Sequence, residues 1–401
     1  MLKFCLKKRN LAVKEVNPGK TMRVYIDIAH PAHAHAFRYF IKEMEGRGHE
    51  VLVSARDKDI TFCLLREWGI PFADRGRGWS PSFRGGPLPV RLLQSLVSLA
   101  GKAGYLLAVI ARLLPMVRRF SPHLVISWSS YHAALTGRLL RVPVITFEDT
   151  EGVGLLHRVN RALSSLMVTP ASFETDLGRK HVRFDGYKEL ASLHPSRFTP
   201  AALPDSPGKP YTVMRFVAWR AWHDRGHSGI SEEMKRELVR RLSRHGRVYI
   251  SSEEPLPRDL QEYRVPAGCG ALHTLLAGAA LFFGESASMA AEAAVLGVPA
   301  IYIDNMGRGY TRDLERMGLL FGYGEGDGQV REAADRAEGL LGDPGMAGEW
   351  QRRRTRMMEG KCDLTGWMVE LAGHIGGGGA VDTVAEANSH RSPGNPPPGD
   401  S

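Results

Sequence analysis

The chain has 401 residues, 43% hydrophobic, 24% charged and 8% aromatic, which excludes a fibrous or disordered protein and leaves a globular one able to bury a large core. At about 100 to 200 residues per domain that length divides into two domains. The net charge of +10 favours anionic partners (phosphates, nucleic acid, acidic lipid) without choosing among them, while Cys5, Cys63, Cys269 and Cys362 show neither CxxC nor zinc-ligand spacing, so no disulfide framework, no structural metal and a reducing compartment are expected.

Residues 1–21 carry Lys3, Lys7, Lys8 and Arg9 with no apolar run of signal length behind them, and read as an N-terminal extension without a secretion signal. From Met22 the chain alternates short apolar runs with amphipathic segments, the pattern of a mostly parallel sheet covered on both faces. Val24 to Ile28 predicts a strand, Ala34 to Arg47 a helix closed by Gly48, and Val51 to Ser54 the next strand. Leu88 to Met116 is apolar but interrupted by Arg91, Gln94, Lys102 and Arg112, which predicts one or two amphipathic helices rather than a membrane span. With Arg118 and Arg119 behind it, 88–119 is either a peripheral membrane contact or a cover over the first domain. Leu124 to Ser127, Val144 to Phe147 and Leu166 to Thr169 predict further strands, with helices over 133–140 and 155–164, so 22–195 reads as one Rossmann-like domain.

The stretch from His194 to Pro210 holds five prolines in seventeen residues and predicts a linker, placed at 196–210. A second α/β series over 211–375 has predicted strands at 212–216, 248–251, 280–283 and 300–303, and helices at 232–245, 289–296, after Gly309 and after Gln329. Residues 376–401, with GGGG and SPGNPPPGDS, cannot bury apolar surface and are expected to be a disordered tail.

Four segments hold chemistry. In GESASMAAEAAVLGVP (284–299) a strand, a small-residue turn and a helix start follow one another, so free amides around Ser286, Ala287 and Ser288 can hold a phosphate while Glu292 accepts from ribose hydroxyls; the plainer alternative is a packed small-residue helix with Glu292 solvated. DIAHPAHAH (27–35) follows the first strand, where doubly wound sheets place their clefts, and offers His30 and His33 as a phosphate contact or a general base, or as a helix terminus without a role. FEDTEG (147–152) puts Glu148 and Asp149 past a strand end, as acid/base groups or as a solvated helix-capping turn. RFVAWRAWHDRGH (215–227) opens the second domain with Arg215, Arg220 and His223, a basic loop able to compensate a diphosphate, in which Trp219 and Trp222 stack a ligand or pack between domains. No metal-ligand set is expected.

The helix-start segment resembles the nucleotide-sugar motif of GT-B enzymes, among them the peptidoglycan N-acetylglucosaminyltransferase and the non-hydrolysing UDP-N-acetylglucosamine 2-epimerases. Taken with DIAHPAHAHAF, ITFEDTEG and RFVAWRAWHDRGHSGI in this order, it resembles more closely the prokaryotic domain-of-unknown-function family 354 of that superfamily, over roughly Met22 to Leu341. The resemblance implies an α/β GT-B fold, two Rossmann-like domains with parallel sheets facing a central cleft. It matches His33 to a loop histidine of the transferase, and His30, Glu148 and His223 to catalytic-loop positions of the epimerases, whose second glutamate and strand-end aspartate have no counterpart here. Where relatives have a glycine-rich turn this chain has Glu285, a carboxylate expected to weaken diphosphate binding. The implied function is metal-independent glycosyl transfer from a nucleotide-diphosphate sugar, UDP-linked by resemblance, to a glycan or lipid-linked acceptor in cell-envelope or glycan synthesis, in the cytoplasm, either free or peripheral to the inner face of the membrane. The sugar nucleotide is substrate and no cofactor is expected. The alternatives are a UDP-N-acetylhexosamine 2-epimerase or hydrolase, and a non-catalytic anion- or nucleic-acid-binding protein; basic-aromatic interleaving of the kind that binds single strands is missing, so no nucleic acid is expected.

Overall fold

The computed structural model describes residues 21–78, 88–201, 210–218, 229–265 and 268–379, with 88–96 and 99 by backbone alone. Residues 1–20 of the expected extension, residues 202–209 of the expected linker and most of the expected tail lie outside them.

Two parallel sheets organise the chain. The first joins β1 (Arg23–Ile28), β2 (Glu50–Ala55), β3 (Ala73–Asp74), β4 (Leu124–Trp128), β5 (Val144–Phe147), β6 (Leu166–Pro170) and β7 (His181–Phe184) in the order β3-β2-β1-β4-β5-β6-β7. The second joins β8 (Tyr211–Phe216), β9 (Arg247–Ser252), β10 (Leu281–Gly284), β11 (Ala300–Ile303) and β12 (Leu320–Tyr323) in the order β12-β11-β10-β8-β9. Strands buried on both faces read as continuous apolar runs rather than alternating ones, and Val24 to Ile28 is buried at every position. Strand order reverses between β1 and β4 and between β8 and β10, which leaves a crevice at the carboxyl ends of each sheet.

The first-domain helices are α1 (Pro31–Gly46), α2 (Thr61–Glu67), α3 (Leu88–Phe120), α4 (Tyr131–Leu140), α5 (Gly154–Leu163) and α6 (Leu190–Leu193). Those that follow are α7 (Glu232–Leu242), α8 (Leu272–Ala277), α9 (Ala287–Leu296), α10 (Gly309–Arg316), α11 (Asp327–Leu341), α12 (Met346–Met358) and α13 (Leu364–Gly376). Although it follows the second domain in the chain, α13 buries Leu364, Met368, Ala372 and Ile375 in the first domain's core with Phe37, Phe147 and Phe184. Where β10 passes β8, a Cβ on Gly284 would lie 2.4 Å from the Arg215 carbonyl oxygen, so only glycine lets the strands meet there.

The apolar stretch forms a single helix, α3, with Pro115 inside it. Val109, Leu113 and Val117, spaced four apart, form its buried stripe, while Leu107 on the same helix is 70% exposed. Residues 100–120 are long and apolar enough to cross a membrane by length and composition alone, with only 17% of the most apolar window buried, which the interrupting charges had argued against. Lys102 and Arg112 are its only charges between 100 and 117.

A second correction concerns the cysteines. Cys63 of α2 and Cys269 of the 3-10 turn Cys269–Ala271 form a disulfide, and Glu67 beside it accepts the Gly270 amide at 3.0 Å. The two cysteines lie 206 residues apart on different domains, so their pairing arises from domain docking and leaves no trace in sequence spacing. Cys362 is a buried thiol.

Candidate functional site

The loops after β5 and β7 meet those after β10 and β11 in the cleft, which the loops after β1 and β4 also line. At its centre is Lys188, four residues past β7. Its ammonium donates to Asp149 Oδ2 at 2.5 Å and to Ser288 Oγ at 3.4 Å, with Glu189 Oε1 at 3.7 Å. The Trp128 and Tyr310 rings enclose it at 5.7 and 5.9 Å from their centroids. Burial works against this charge, but Asp149 and Glu189 outweigh it and hold the ammonium above its ordinary range. Asp149 also accepts Trp128 Nε1 at 3.2 Å; burial opposes its charge, and Lys188 nevertheless keeps its carboxyl below the usual range.

Ser288 belongs to the first turn of α9. Ser286 caps that helix by accepting the Met289 amide at 3.3 Å, which leaves the Ala287 and Ser288 amides without intrahelical acceptors. A lysine and a helix N-terminus thus face one point from opposite domains, an arrangement suited to an anion. Glu285, immediately before the cap, turns away. Its carboxylate accepts the amides of Val217 at 3.0 Å and Ile230 at 2.6 Å, pinning both ends of the loop after β8. Its two backbone hydrogen bonds orient the carboxylate that the sequence expects to weaken diphosphate binding.

His30 accepts the Ala32 amide through Nδ1 at 3.2 Å, and Pro31 fills the first helical position, so the loop after β1 is set as a helix cap. The His33 ring lies 5.8 Å from His30 and 6.4 Å from Trp128, and its Nδ1 has no hydrogen-bond partner. Burial, then the Lys188 charge, push His33 down to about 3; burial, then Lys58, push His30 well below its ordinary value. Both are neutral imidazoles near pH 7. Glu148 is fully buried, with Oε1 accepting the amides of Asp149 and Thr150 at 3.1 and 3.2 Å and Oε2 left without a hydrogen bond, 3.8 Å from His157. Burial and the Asp149 charge push its carboxyl up to about 7.

Of the other expected residues, Arg215 is the last but one of β8 and reaches Ser251 and Glu253, both at 2.8 Å, so it is already paired. Glu292 is buried, 3.1 Å from His273, whose ring packs on His35 at 4.0 Å; a ribose would have to displace this histidine. Arg220 and His223 lie outside the described residues. Sequence reasoning missed Lys188 and Trp128. The signal for Lys188 was its place just beyond a strand, but HVRF (181–184) is four residues long with two basic positions and was not read as one.

No protein-family profile and no curated protein sequence match the chain. Solved structures do. The spinosyn rhamnosyltransferase SpnG superposes with a TM-score of 0.59 at 15% identity, covering 87% of this chain and all of its own. The fold is GT-B. The S. aureus MnaA–UDP co-structure matches with a TM-score of 0.59 at 13% identity, covering 86% of this chain and 92% of its own. A putative UDP-N-acetylglucosamine 2-epimerase from Listeria monocytogenes gives 0.58 at 12% identity, over 85% and 92%. SpnG is also known complexed with thymidine diphosphate. At these identities the GT-B likeness speaks for architecture, and chemistry has to be argued from the cleft itself.

Proposed function

We propose that the GT-B cleft binds a nucleotide-diphosphate sugar and transfers its glycosyl group to an acceptor held by the first domain. The observation that carries this reading is the Lys188 ammonium held between Asp149 and Ser288 at the start of α9. The diphosphate would lie there, its charge met by Lys188 and the free amides of α9, and Ser286 would act through that helix start rather than through its own occupied hydroxyl. Glu292 would take the ribose. In the transfer, the acceptor oxygen attacks the anomeric carbon, the bond from that carbon to the diphosphate oxygen breaks, and the acceptor proton passes to a neutral base. The developing charge on the leaving diphosphate is stabilised by groups already in place, so little reorganisation is needed.

His33 is the base we assign. It is neutral, one ring nitrogen is unengaged, and its depressed basicity comes after burial from Lys188, whose charge a bound diphosphate would offset. Asp149, ion-paired and held ionised, positions Lys188. Arg215, with Arg220 and His223 from the loop after β8, would complete the anion's surroundings. The scheme calls on no metal and no cofactor. The donor base, the narrower kinship with family 354, and a cytoplasmic setting with α3 against the membrane are part of the same proposal.

A second reading has one observation in its favour. Glu148, held near 7, could shuttle a proton within a bound sugar, as an epimerase or hydrolase requires. Release of nucleoside diphosphate from UDP-, TDP- and GDP-sugars, measured with and without glycan and lipid-phosphate acceptors, separates the two: acceptor-dependent release, lost in His33→Ala, is the transferase result, and sugar turnover equal in acceptor-free buffer contradicts it.

A further inference from the structure

A cavity of about 210 Å³ opens in the first domain beside this cleft, at the carboxyl ends of β1 and β4 and under α3. Arg56, Arg75, Lys102, Tyr105, Tyr131 and His132 line it, and among the described residues no carboxylate does. Four of the six present a buried polar atom without a hydrogen-bond partner: Nε of Arg56, Nε of Arg75, the Tyr105 hydroxyl and Nε2 of His132. Arg75 and His132 are only 4% and 5% exposed. Leaving such a group unsatisfied costs about 1–3 kcal/mol, and four of them around one space are what a single multivalent acceptor of hydrogen bonds would satisfy.

The charge agrees. Asp27 beneath the cavity is engaged by Arg75 Nη1, by Ser54 Oγ at 2.6 Å and by Ser130 Oγ, so it balances Arg75, and the cavity lining adds the cations Arg56 and Lys102. Tyr131 stacks on the His132 ring at 4.0 Å and Tyr105 meets that ring edge-on at 5.6 Å, which makes one wall flat and aromatic. Tyr105 and Lys102 come from α3, the helix that also exposes Leu107.

We infer that this cavity binds a phosphate group of the acceptor, gripped by Arg56, Arg75 and Lys102 with the Tyr105 hydroxyl, while the aromatic wall lies along the group that the phosphate carries. The ligand's role as acceptor rests on the transferase reading; its charge does not. Planar guanidinium forks suit phosphate oxygens, and His132, pushed down to about 4 by burial and by Arg75, enters as a neutral donor whose basicity a bound anion would restore.

The test titrates inorganic phosphate into the full chain while the His132 ring is followed by NMR, its signal assigned by loss in His132→Gln. Wild type, Arg56→Ala, Tyr105→Phe and the double variant Asp149→Asn/Lys188→Met are compared. Expected is saturable binding that raises the His132 pKa in wild type and in the double variant, weakened about tenfold by Arg56→Ala and by the conservative Tyr105→Phe. Binding that leaves His132 unmoved, binding abolished by the double variant but kept in Arg56→Ala, or no saturable binding in wild type overturns the assignment. Nucleoside diphosphate has the opposite dependence, lost in the double variant and kept in Arg56→Ala, so either reading can fail alone. Vesicles of phosphatidylcholine with and without phosphatidic acid distinguish the sources of the phosphate. Sedimentation with the acidic vesicles that Arg56→Ala weakens supports a lipid-borne phosphate, and sedimentation indifferent to it, with the titration intact, supports a soluble phosphorylated acceptor.

Discussion

Lys188 and Arg75 are buried cations, each held by one aspartate, and their removal has different consequences. Arg75→Met leaves Asp27 buried with two hydroxyl donors and no charge partner, and unpairing a buried ion pair in this way costs about 3–5 kcal/mol. Urea denaturation should record that loss; a variant as stable as wild type would show that the Arg75–Asp27 pair makes no net contribution to stability. Glu148 gives a pH signature. Its carboxyl is raised from 4.5 to about 7, so the folded state binds the proton more tightly than the unfolded one. The resulting stability is fully present below pH 4.5 and is lost as pH rises through 7. Glu148→Gln, which cannot ionise, should gain on wild type in thermal midpoint across that window and hold a constant advantage above it. Equal midpoints at pH 5 and pH 8 would mean the group titrates normally. These roles were only partly legible in the sequence. Glu148 and Asp149 declared themselves by standing past a run of apolar residues, but the opposite ionisation of two adjacent carboxyls depends on Lys188, thirty-nine positions later.

At the scale of elements, apolar runs decided what could be read. Val144 to Phe147 and Ala300 to Ile303 are strands with the bounds their sequence predicts, because four contiguous apolar or β-branched residues, each run preceded by proline and followed by an acidic residue, leave few alternatives. Thr61–Glu67, His181–Phe184 and Leu320–Tyr323 escaped, being short and of mixed polarity and held by their neighbours more than by their own pattern. The helix α3 combines both cases, its apolarity evident and its orientation hidden. Leu113, on the buried stripe, should cost about 2–4 kcal/mol when cut to alanine. Leu107→Glu, on the exposed side, should leave denaturation unchanged and reduce sedimentation with acidic vesicles. Loss of stability from Leu107→Glu and none from Leu113→Ala would reverse the assignment of the two faces.

Across the whole molecule, the two α/β domains and their parallel sheets follow from alternating pattern and a proline-rich connection, whereas their docking does not. Cys63 and Cys269 tie α2 to the turn before α8, and Tyr187 reaches Asp313 of α10 at 2.7 Å across the same boundary. In a reducing cytoplasm the cysteine pair would stand as two thiols. Reduction, or Cys63→Ser, should lower stability by about 2–4 kcal/mol and enlarge the radius of gyration in small-angle scattering as the domains gain freedom to part. Unchanged scattering and stability would assign the docking to the remaining contacts. The central claim is that Lys188 and the start of α9 form a diphosphate site between these domains. Calorimetric titration of the wild-type chain with UDP, TDP, GDP and CMP, beside Asp149→Asn/Lys188→Met, tests it most directly. Selective binding of one nucleoside diphosphate, weakened about a hundredfold by removing the buried charge pair, is the predicted result, and nucleotide binding of equal strength in wild type and variant, or none in either, would contradict it.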